Sequence, residues 1–160
     1  MTRPPPPLVV CFGELLLRLD ATDGNRLVQA ERFVARYTGA EANVAVLLAS
    51  LGLRSAVASR VPEHEVGQAC LNALRRWGVD TSRVQRGGER LGLLYVEPGF
   101  GARQTRVIYD RAGSSFATLD PATVDWPATL EGARWLHVSG TAGALGEGPL
   151  RALCAGLALA

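Results

Sequence analysis

The 160-residue sequence contains no lysine, because all 17 of its basic residues are arginine. This absence excludes a phosphate-loop lysine, a Schiff-base lysine and a lysine general base supplied by this chain. Net charge is also small, since 17 basic and 15 acidic residues sum to +2. The sequence therefore argues against a nucleic-acid partner and against a polybasic membrane-binding surface.

Cysteine and histidine are too few and too widely spaced to indicate a metal site. The cysteines are Cys11, Cys70 and Cys154, and the histidines are His64 and His137. No two of them lie at the spacing of zinc ligands, so we expect no metal bound by this chain. An odd number of separated cysteines is typical of reduced thiols, and we therefore expect a cytoplasmic protein.

Long apolar runs are absent, and no stretch approaches the ~18 residues that span a bilayer, so we expect no membrane partner. The proline-rich residues 1–7 lack the pattern of a secretory signal, and we expect them to form a disordered tail. The remaining residues 8–160 are long enough and apolar enough to bury one sizeable core.

Strand and helix patterns alternate along the first half of the chain. Two continuous apolar runs predict buried strands at 8–12 and 55–61, and two periodic segments predict helices at 42–51 and 66–77. A glycine follows each predicted helix, at Gly52 and Gly78, which is typical of a helix that ends at a residue in the left-handed backbone conformation. This βαβα order predicts an α/β layered fold with a parallel sheet. The buried faces expected are Val44, Leu47, Leu48 and Leu51 in the first helix, and Val66, Cys70, Ala73, Leu74 and Trp77 in the second.

The alternation is interrupted at about residue 86 by a pattern typical of a β-hairpin. Strand-like runs at 91–97 and 106–109 flank a turn-rich segment at 98–103. Together with strand-like residues between 15 and 37, this hairpin predicts a small second sheet. The α/β order then resumes with a strand at 134–138 and a helix from Glu147 to the end of the chain.

Two segments carry side chains that suit a polyol or an acid. Gly39 ends a strand and opens a helix, whose N–H groups favour anionic or hydroxylated ligands, and the Asn43 amide can bond a polyol. A plain strand-to-helix turn with Asn43 exposed explains these two residues equally well. Tyr109 and Arg111 project from one face of a strand, where Arg binds a carboxylate through two parallel bonds, but an ordinary surface charge pair remains open.

Glu14 directly follows the first strand, at the edge where open α/β sheets bind ligands. A role in ligand binding and a role as a structural hydrogen-bond acceptor are both open for this residue.

Five motifs cover about residues 8–150, namely FGELLLRL, ERFVARYTGAEANVAVLLASLG, VPEHEVGQACLNALRRWGVDTSRV, RLGLLYVEPGFGARQTRVIYDRAGSS and GARWLHVSGTAGAL. Together they resemble the PfkB (ribokinase-like) carbohydrate kinases, and most of all their 2-keto-3-deoxygluconate kinase branch. The resemblance implies a ribokinase-like layered fold, with a mostly parallel sheet flanked by helices. It also implies a small β lid built from about residues 15–38 and 91–113.

The function implied by this resemblance is ATP-dependent phosphorylation of 2-keto-3-deoxygluconate or a related sugar. ATP and Mg²⁺ are the implied cofactors, and a homodimer or higher oligomer formed through the lid is the implied assembly. By position, the residues that match the sugar-binding positions of the family are Gly39, Ala40, Asn43, Tyr109, Arg111 and Thr141. Another ketose such as fructose remains an alternative substrate.

The sequence departs from the family pattern at several positions. Thr38 replaces the first glycine of the usual pair, Leu94 stands where this branch often has a sugar-contacting Tyr, and Arg18 replaces a sugar-binding Asp of ribokinase-type members. The general base, the GAGD-type anion hole and most of the ATP pocket belong to a second half of these kinases that this sequence does not match. We therefore assign no catalytic residue and expect a truncated amino-terminal half, inactive alone. A non-catalytic sugar-binding or dimerisation module derived from such a kinase is the alternative.

Overall fold

A computed structural model describes residues 6–160 as two four-stranded sheets with five α-helices. Most of the expected tail, residues 1–5, lies outside the described residues. The strands are β1 (Leu8–Phe12), β2 (Leu16–Ala21), β3 (Phe33–Thr38), β4 (Arg54–Val61), β5 (Val84–Arg86), β6 (Gly92–Glu97), β7 (Arg106–Asp110) and β8 (Ala133–His137). The helices are α1 (Ala40–Ser50), α2 (Glu65–Arg75), α3 (Trp126–Leu130), α4 (Gly140–Gly143) and α5 (Glu147–Leu159).

The central sheet has the order β5-β4-β1-β8, and all of its strands run parallel. Alternate residues of β1 point to opposite faces, so that Cys11 packs into one apolar cluster and Val10 and Phe12 into another. Burial on both faces explains the continuous apolar run of this strand. The arrangement confirms the α/β class predicted from the alternating pattern.

The second sheet, called the lid sheet below, has the order β3-β2-β6-β7. Two antiparallel hairpins, β2–β3 and β6–β7, join through parallel pairing of β2 with β6. The predicted second sheet is therefore confirmed. Only the three residues 13–15 separate β1 of the central sheet from β2 of the lid sheet, so the two sheets meet at the carboxyl end of β1.

The predicted buried face of α1 is correct only in part, because Val44 and Leu48 pack against the core cluster but Leu47 and Leu51 do not. Leu47 and Leu51 are 57% and 68% exposed, whereas the helix buries Glu41, Ala42 and Ala45. The helix packs through its alanines because small side chains permit a close approach to β1 and β4. The fully buried part of this helix is therefore centred on its alanines, with Val44 and Leu48 at the margin of the core.

The predicted face of α2 is correct at its centre and wrong at its ends. Cys70 and Leu74 are buried, but Val66 and Trp77 are exposed. Val66 lies in the first turn, and Trp77 lies beyond the last helical residue, where the chain turns at Gly78 with a positive φ of 81°. Within residues 6–160, no helix combines the length and apolarity needed to cross a membrane.

Candidate functional site

The lid sheet, the start of α1 and the loop after β8 meet at the carboxyl end of β1. Gly13 and Glu14 follow β1, and Ser139 lies two residues after β8. Helix α1 begins at Ala40, directly after Gly39 at the end of a lid strand. In open α/β sheets, ligands bind in the crevice outside the carboxyl ends of the strands, so this position suits a binding site.

Gly39 is required because the turn between β3 and α1 packs against the backbone of Glu14. A Cβ atom at position 39 would lie 2.3 Å from the Glu14 carbonyl oxygen. Gly92, which starts β6, packs on the same residue, since a Cβ there would lie 2.6 Å from Oε1 of Glu14. Glu14 is thus enclosed by the start of α1 and by a central strand of the lid sheet.

The Glu14 carboxylate is 3% exposed and holds the end of the lid hairpin. Its Oε2 accepts a 2.5 Å hydrogen bond from Arg111 Nε, and its Oε1 accepts one of 2.5 Å from Ser114 Oγ. The Arg111 guanidinium carbon lies 5.5 Å from the centre of the Tyr109 ring. The acid that pairs with Arg111 is therefore Glu14, while the neighbouring Asp110 pairs with Arg90 at 2.9 Å.

A second buried carboxylate, Glu41, connects α1 to the loop after β8. The Ser139 hydroxyl donates to Glu41 Oε1, and it lies 2.6 Å from the Thr141 hydroxyl. A Cβ at Gly13 would lie only 2.0 Å from Glu41 Oε2, so this glycine makes room for the carboxylate. The sequence pattern did not indicate Glu41 as a site residue, because an acid in the first turn of a helix is ordinarily explained by solvent exposure and the helix dipole.

Two of the predicted residues, Ala40 and Asn43, are exposed on the first turn of α1. The Thr38 hydroxyl donates a 3.0 Å hydrogen bond to Oδ1 of Asn43, which leaves the Asn43 amide nitrogen as a donor. Asn43 also lines a cavity of about 240 Å³ between α1 and α2, beside Tyr37 and Trp77. The described contacts link Gly39 to Arg111 through Glu14, but they do not link Asn43 to Tyr109 or Arg111.

One face of the lid sheet presents arginines beside Tyr109. The strand register aligns Arg36 with Arg18, Arg18 with Leu94, and Leu94 with Tyr109. Residues paired in this way project to the same face, so the four side chains form a row across the lid sheet. Arg111, two positions beyond Tyr109, continues this face at the end nearer Glu14.

Asp20 holds Arg18 and Arg36 in place on this face. It is 5% exposed, with Oδ1 lying 2.7 Å from Arg18 Nη2 and Oδ2 lying 2.5 Å from Arg36 Nη1. Burial raises the pKa of Asp20, but the hydrogen bonds and positive charges of the two arginines lower it by more, so the pKa lies below its ordinary value. The cluster therefore carries one net positive charge at neutral pH.

The two buried thiols are unreactive by their environment. Burial, together with the negative charge of Glu41, raises the pKa of Cys11 to about 12, and burial raises the pKa of Cys70 to about 12. Thiolates are the nucleophilic form, so neither cysteine contributes chemistry at neutral pH.

The described residues do not fit a magnesium ion. Residues 6–160 contain no group of three or more His, Cys, Asp or Glu side chains that could hold a metal. The carboxylates nearest the site, Glu14 and Glu41, are already bonded to Arg111, Ser114 and Ser139. Neither carboxylate therefore has both oxygens free to coordinate a metal ion.

A parallel α/β sheet whose carboxyl edge meets a four-stranded β lid defines a ribokinase-like protein. In agreement, residues 6–155 match the model of the pfkB family carbohydrate kinases, and the chain belongs to this family. The predicted resemblance is thus confirmed. The fold likeness extends to the 2-dehydro-3-deoxygluconokinase of Thermotoga maritima, at 39% identity and a TM-score of 0.92 over 96% of this chain and 47% of that one.

Several curated relatives carry the names of dehydro-deoxy sugar kinases. The 2-dehydro-3-deoxygalactonokinase of Haloferax volcanii is 36% identical over 87% of this chain and 43% of its own length. The 2-dehydro-3-deoxygluconokinase of Thermoproteus tenax is 31% identical over 91% of this chain and 45% of its own. The chain therefore spans less than half the length of these relatives. PfkB kinases use ATP, and a 22% identical sugar kinase from Pyrococcus horikoshii with the same fold has been solved with ATP bound.

Proposed function

We propose that this chain is the substrate-binding half of a sugar-acid kinase that phosphorylates 2-keto-3-deoxygluconate or a related sugar acid with ATP. The names of the relatives support a dehydro-deoxy sugar acid as the substrate class. The observation that carries the proposal is the position of Glu14. This one residue contacts both the glycine turn at the start of α1 and the arginine at the end of the lid hairpin.

In this proposal the substrate lies between the lid sheet and the first turn of α1. Gly39, Ala40 and Asn43 form one side, and Tyr109 and Arg111 form the other. Thr141 lies in α4 and is connected to α1 through Ser139 and Glu41, and we assign it to the border of the same space. The list of proposed substrate-binding residues is therefore Gly39, Ala40, Asn43, Tyr109, Arg111 and Thr141.

Arg111 suits the acid end of such a substrate. Within residues 6–160, Arg111 donates a side-chain hydrogen bond only from Nε, to Glu14. Both terminal nitrogens of Arg111 therefore remain for a ligand. Tyr109 is exposed beside it, with a hydroxyl that can donate or accept. Transfer of the phosphoryl group needs a base to take the hydroxyl proton and groups to stabilise the transferred charge, which we assign to residues outside this chain.

The cytoplasmic location is part of this proposal. Cys11, Cys70 and Cys154 are all free thiols, which fits a reducing compartment.

The test of the proposal is calorimetric titration of the protein with 2-keto-3-deoxygluconate and with fructose, a neutral ketose. We expect the acid to bind more tightly, and Arg111→Lys to reduce the acid-to-ketose affinity ratio about tenfold to a hundredfold, because Lys loses the planar two-donor geometry. Arg106→Lys is the matched control, since Arg106 lies in the same strand on the opposite face. An unchanged ratio in Arg111→Lys would remove Arg111 as the acid-binding residue.

The second part of the proposal is self-association through the lid sheet. On the face opposite Tyr109, the register aligns Ala35, Leu19, Tyr95 and Ile108 in a row of apolar and aromatic side chains that carries no charge. Phe33 extends this face, and both Phe33 and Ile108 are more than one-third exposed. Apolar surface of this kind favours burial against a second copy.

Sedimentation measures this association. We expect a dimer at roughly tens of micromolar protein, and we expect Ile108→Asp to convert it to a monomer. Val107→Asp is the matched control, because Val107 is exposed to a similar degree on the other face of the same strand. A wild-type protein that sediments as a monomer at this concentration would contradict the proposal.

A further inference from the structure

We propose that Glu14 sets the specificity of the site by cancelling the charge of Arg111, so that a substrate must offer more than a carboxylate to bind. This inference rests on the proposed function, since it concerns the same site. Glu14 is a positioning and tuning residue here, because it touches Arg111 and does not itself face the proposed ligand.

The geometry allows almost complete cancellation. Arg111 Nε lies 2.5 Å from Glu14 Oε2, and the side chains are 21% and 2% exposed, so little water separates or screens the two charges. The remaining Glu14 oxygen is bound by Ser114, which fixes the carboxylate in this position. A carboxylate ligand that approaches Arg111 therefore meets a nearly neutral pair that still offers two directed N–H donors.

The consequence is selectivity against small acids. A net cation attracts any carboxylate, whereas a neutralised guanidinium binds through directed hydrogen bonds whose net contribution is modest. Short 2-oxo acids offer only the carboxylate and the keto oxygen, so they gain too little at this pair to bind. A longer sugar acid adds hydroxyl contacts to the turn at Gly39 and to Asn43, and these contacts raise its affinity above that of short acids.

The other arginines on this face of the lid sheet are also partly neutralised by a buried carboxylate. Asp20 compensates one of the two charges of Arg18 and Arg36, as Glu14 compensates Arg111. Three arginines on the face are thus matched by two carboxylates that are both more than nine-tenths buried. The face carries far less positive charge than its arginine content suggests.

The test compares Glu14→Gln with the wild-type protein in titrations with pyruvate, 2-keto-3-deoxygluconate and fructose. Gln has the same size, so its oxygen can keep the bond from Arg111 and its amide can donate to Ser114 Oγ, while the negative charge is lost. We expect affinity for the sugar acid to rise about tenfold or more by removal of the nearby repulsion. We also expect pyruvate to bind measurably and fructose affinity to stay unchanged.

Two further variants separate charge from structure. Glu147→Gln makes the same change in net charge at an exposed position of α5, and we expect it to alter no affinity. Glu14→Asp keeps the charge but withdraws it from Arg111, so an intermediate gain in acid affinity is expected, and this variant serves as the test if Glu14→Gln does not fold.

Each outcome decides the inference. Weaker or unchanged binding of carboxylates in both Glu14 variants would show that Glu14 is only structural and would overturn it. If the wild-type protein binds neither the sugar acid nor fructose, the proposed function fails, while the response of pyruvate binding to Glu14→Gln still decides the role of the Glu14 charge.

Discussion

The Asp20 cluster gives a sharp prediction about how the lid sheet is stabilised. Asp20→Asn keeps one acceptor oxygen for the arginines but places an amide nitrogen against a guanidinium and removes the negative charge. A hydrogen bond to a charged group contributes about 1.5–3 kcal/mol. Arg18 and Arg36 are 38% and 61% exposed, so solvent screening reduces this contribution, and we expect a loss of about 1–2 kcal/mol at pH 7.

The sign of the pH dependence follows from the lowered pKa of Asp20. A carboxyl group whose pKa is lower in the folded than in the unfolded chain stabilises the fold above its unfolded pKa, here close to 3.8. That stabilisation is lost as the pH falls below this value and the folded group takes up its proton. The wild-type protein should therefore approach the stability of Asp20→Asn as the pH is lowered from 5 to about 2.5.

Urea unfolding at several pH values measures this effect. Asp23→Asn is the control, because Asp23 lies in the same part of the chain but is 64% exposed in its pair with Arg32 at 3.4 Å. We expect the control to change the unfolding free energy by less than about 0.5 kcal/mol. A destabilisation by Asp20→Asn that is equal at pH 7 and pH 2.5 would refute the electrostatic explanation.

Three other outcomes follow from the structure. Gly39→Ala should lower the unfolding free energy by about 1–3 kcal/mol, because its Cβ would meet the Glu14 carbonyl oxygen. Gly140→Ala is the control, since a Cβ there meets nothing within 4 Å, and equal losses in the two variants would contradict the packing explanation. A thiol reagent should label only the exposed Cys154 of the native chain, and the Cys154→Ser variant should not react. Fast labelling of Cys11 or Cys70 would contradict their burial and their raised pKa values. Purified residues 1–160 should release no ADP with ATP and 2-keto-3-deoxygluconate, and ordinary turnover would show that a base and an anion site are present in this chain after all.

Much of the fold was predictable because its signals are local. Continuous apolar runs marked the strands at 8–12 and 55–61, and Gly52 and Gly78 marked the helix ends with their positive φ angles. The turn-rich segment between 98 and 103 likewise marked the hairpin of the lid sheet. The buried face of α1 was only partly predictable from hydrophobicity, because Ala42 and Ala45 are its fully buried apolar residues, whereas Leu47 and Leu51 are exposed.

The site was predictable only in part because its key contacts join distant residues. Arg111 pairs with Glu14 across 97 positions of the sequence, and Ser139 bonds Glu41 across 98. No local pattern indicates which acid a given arginine will meet, or that Glu41 will be buried. Gly13 and Gly39 are the sequence features that could have indicated these contacts, because a Cβ at either position would clash with one of the two glutamates.

The central claim, that the lid sheet and the start of α1 enclose a sugar acid, is tested most directly by a crystal structure of the protein with 2-keto-3-deoxygluconate. We predict ligand density between Tyr109 and Arg111 on one side and Gly39 and Asn43 on the other, with the carboxylate at Arg111. Density confined to another concavity, such as the cavity of about 450 Å³ beside Arg60 and Thr123, would contradict the account.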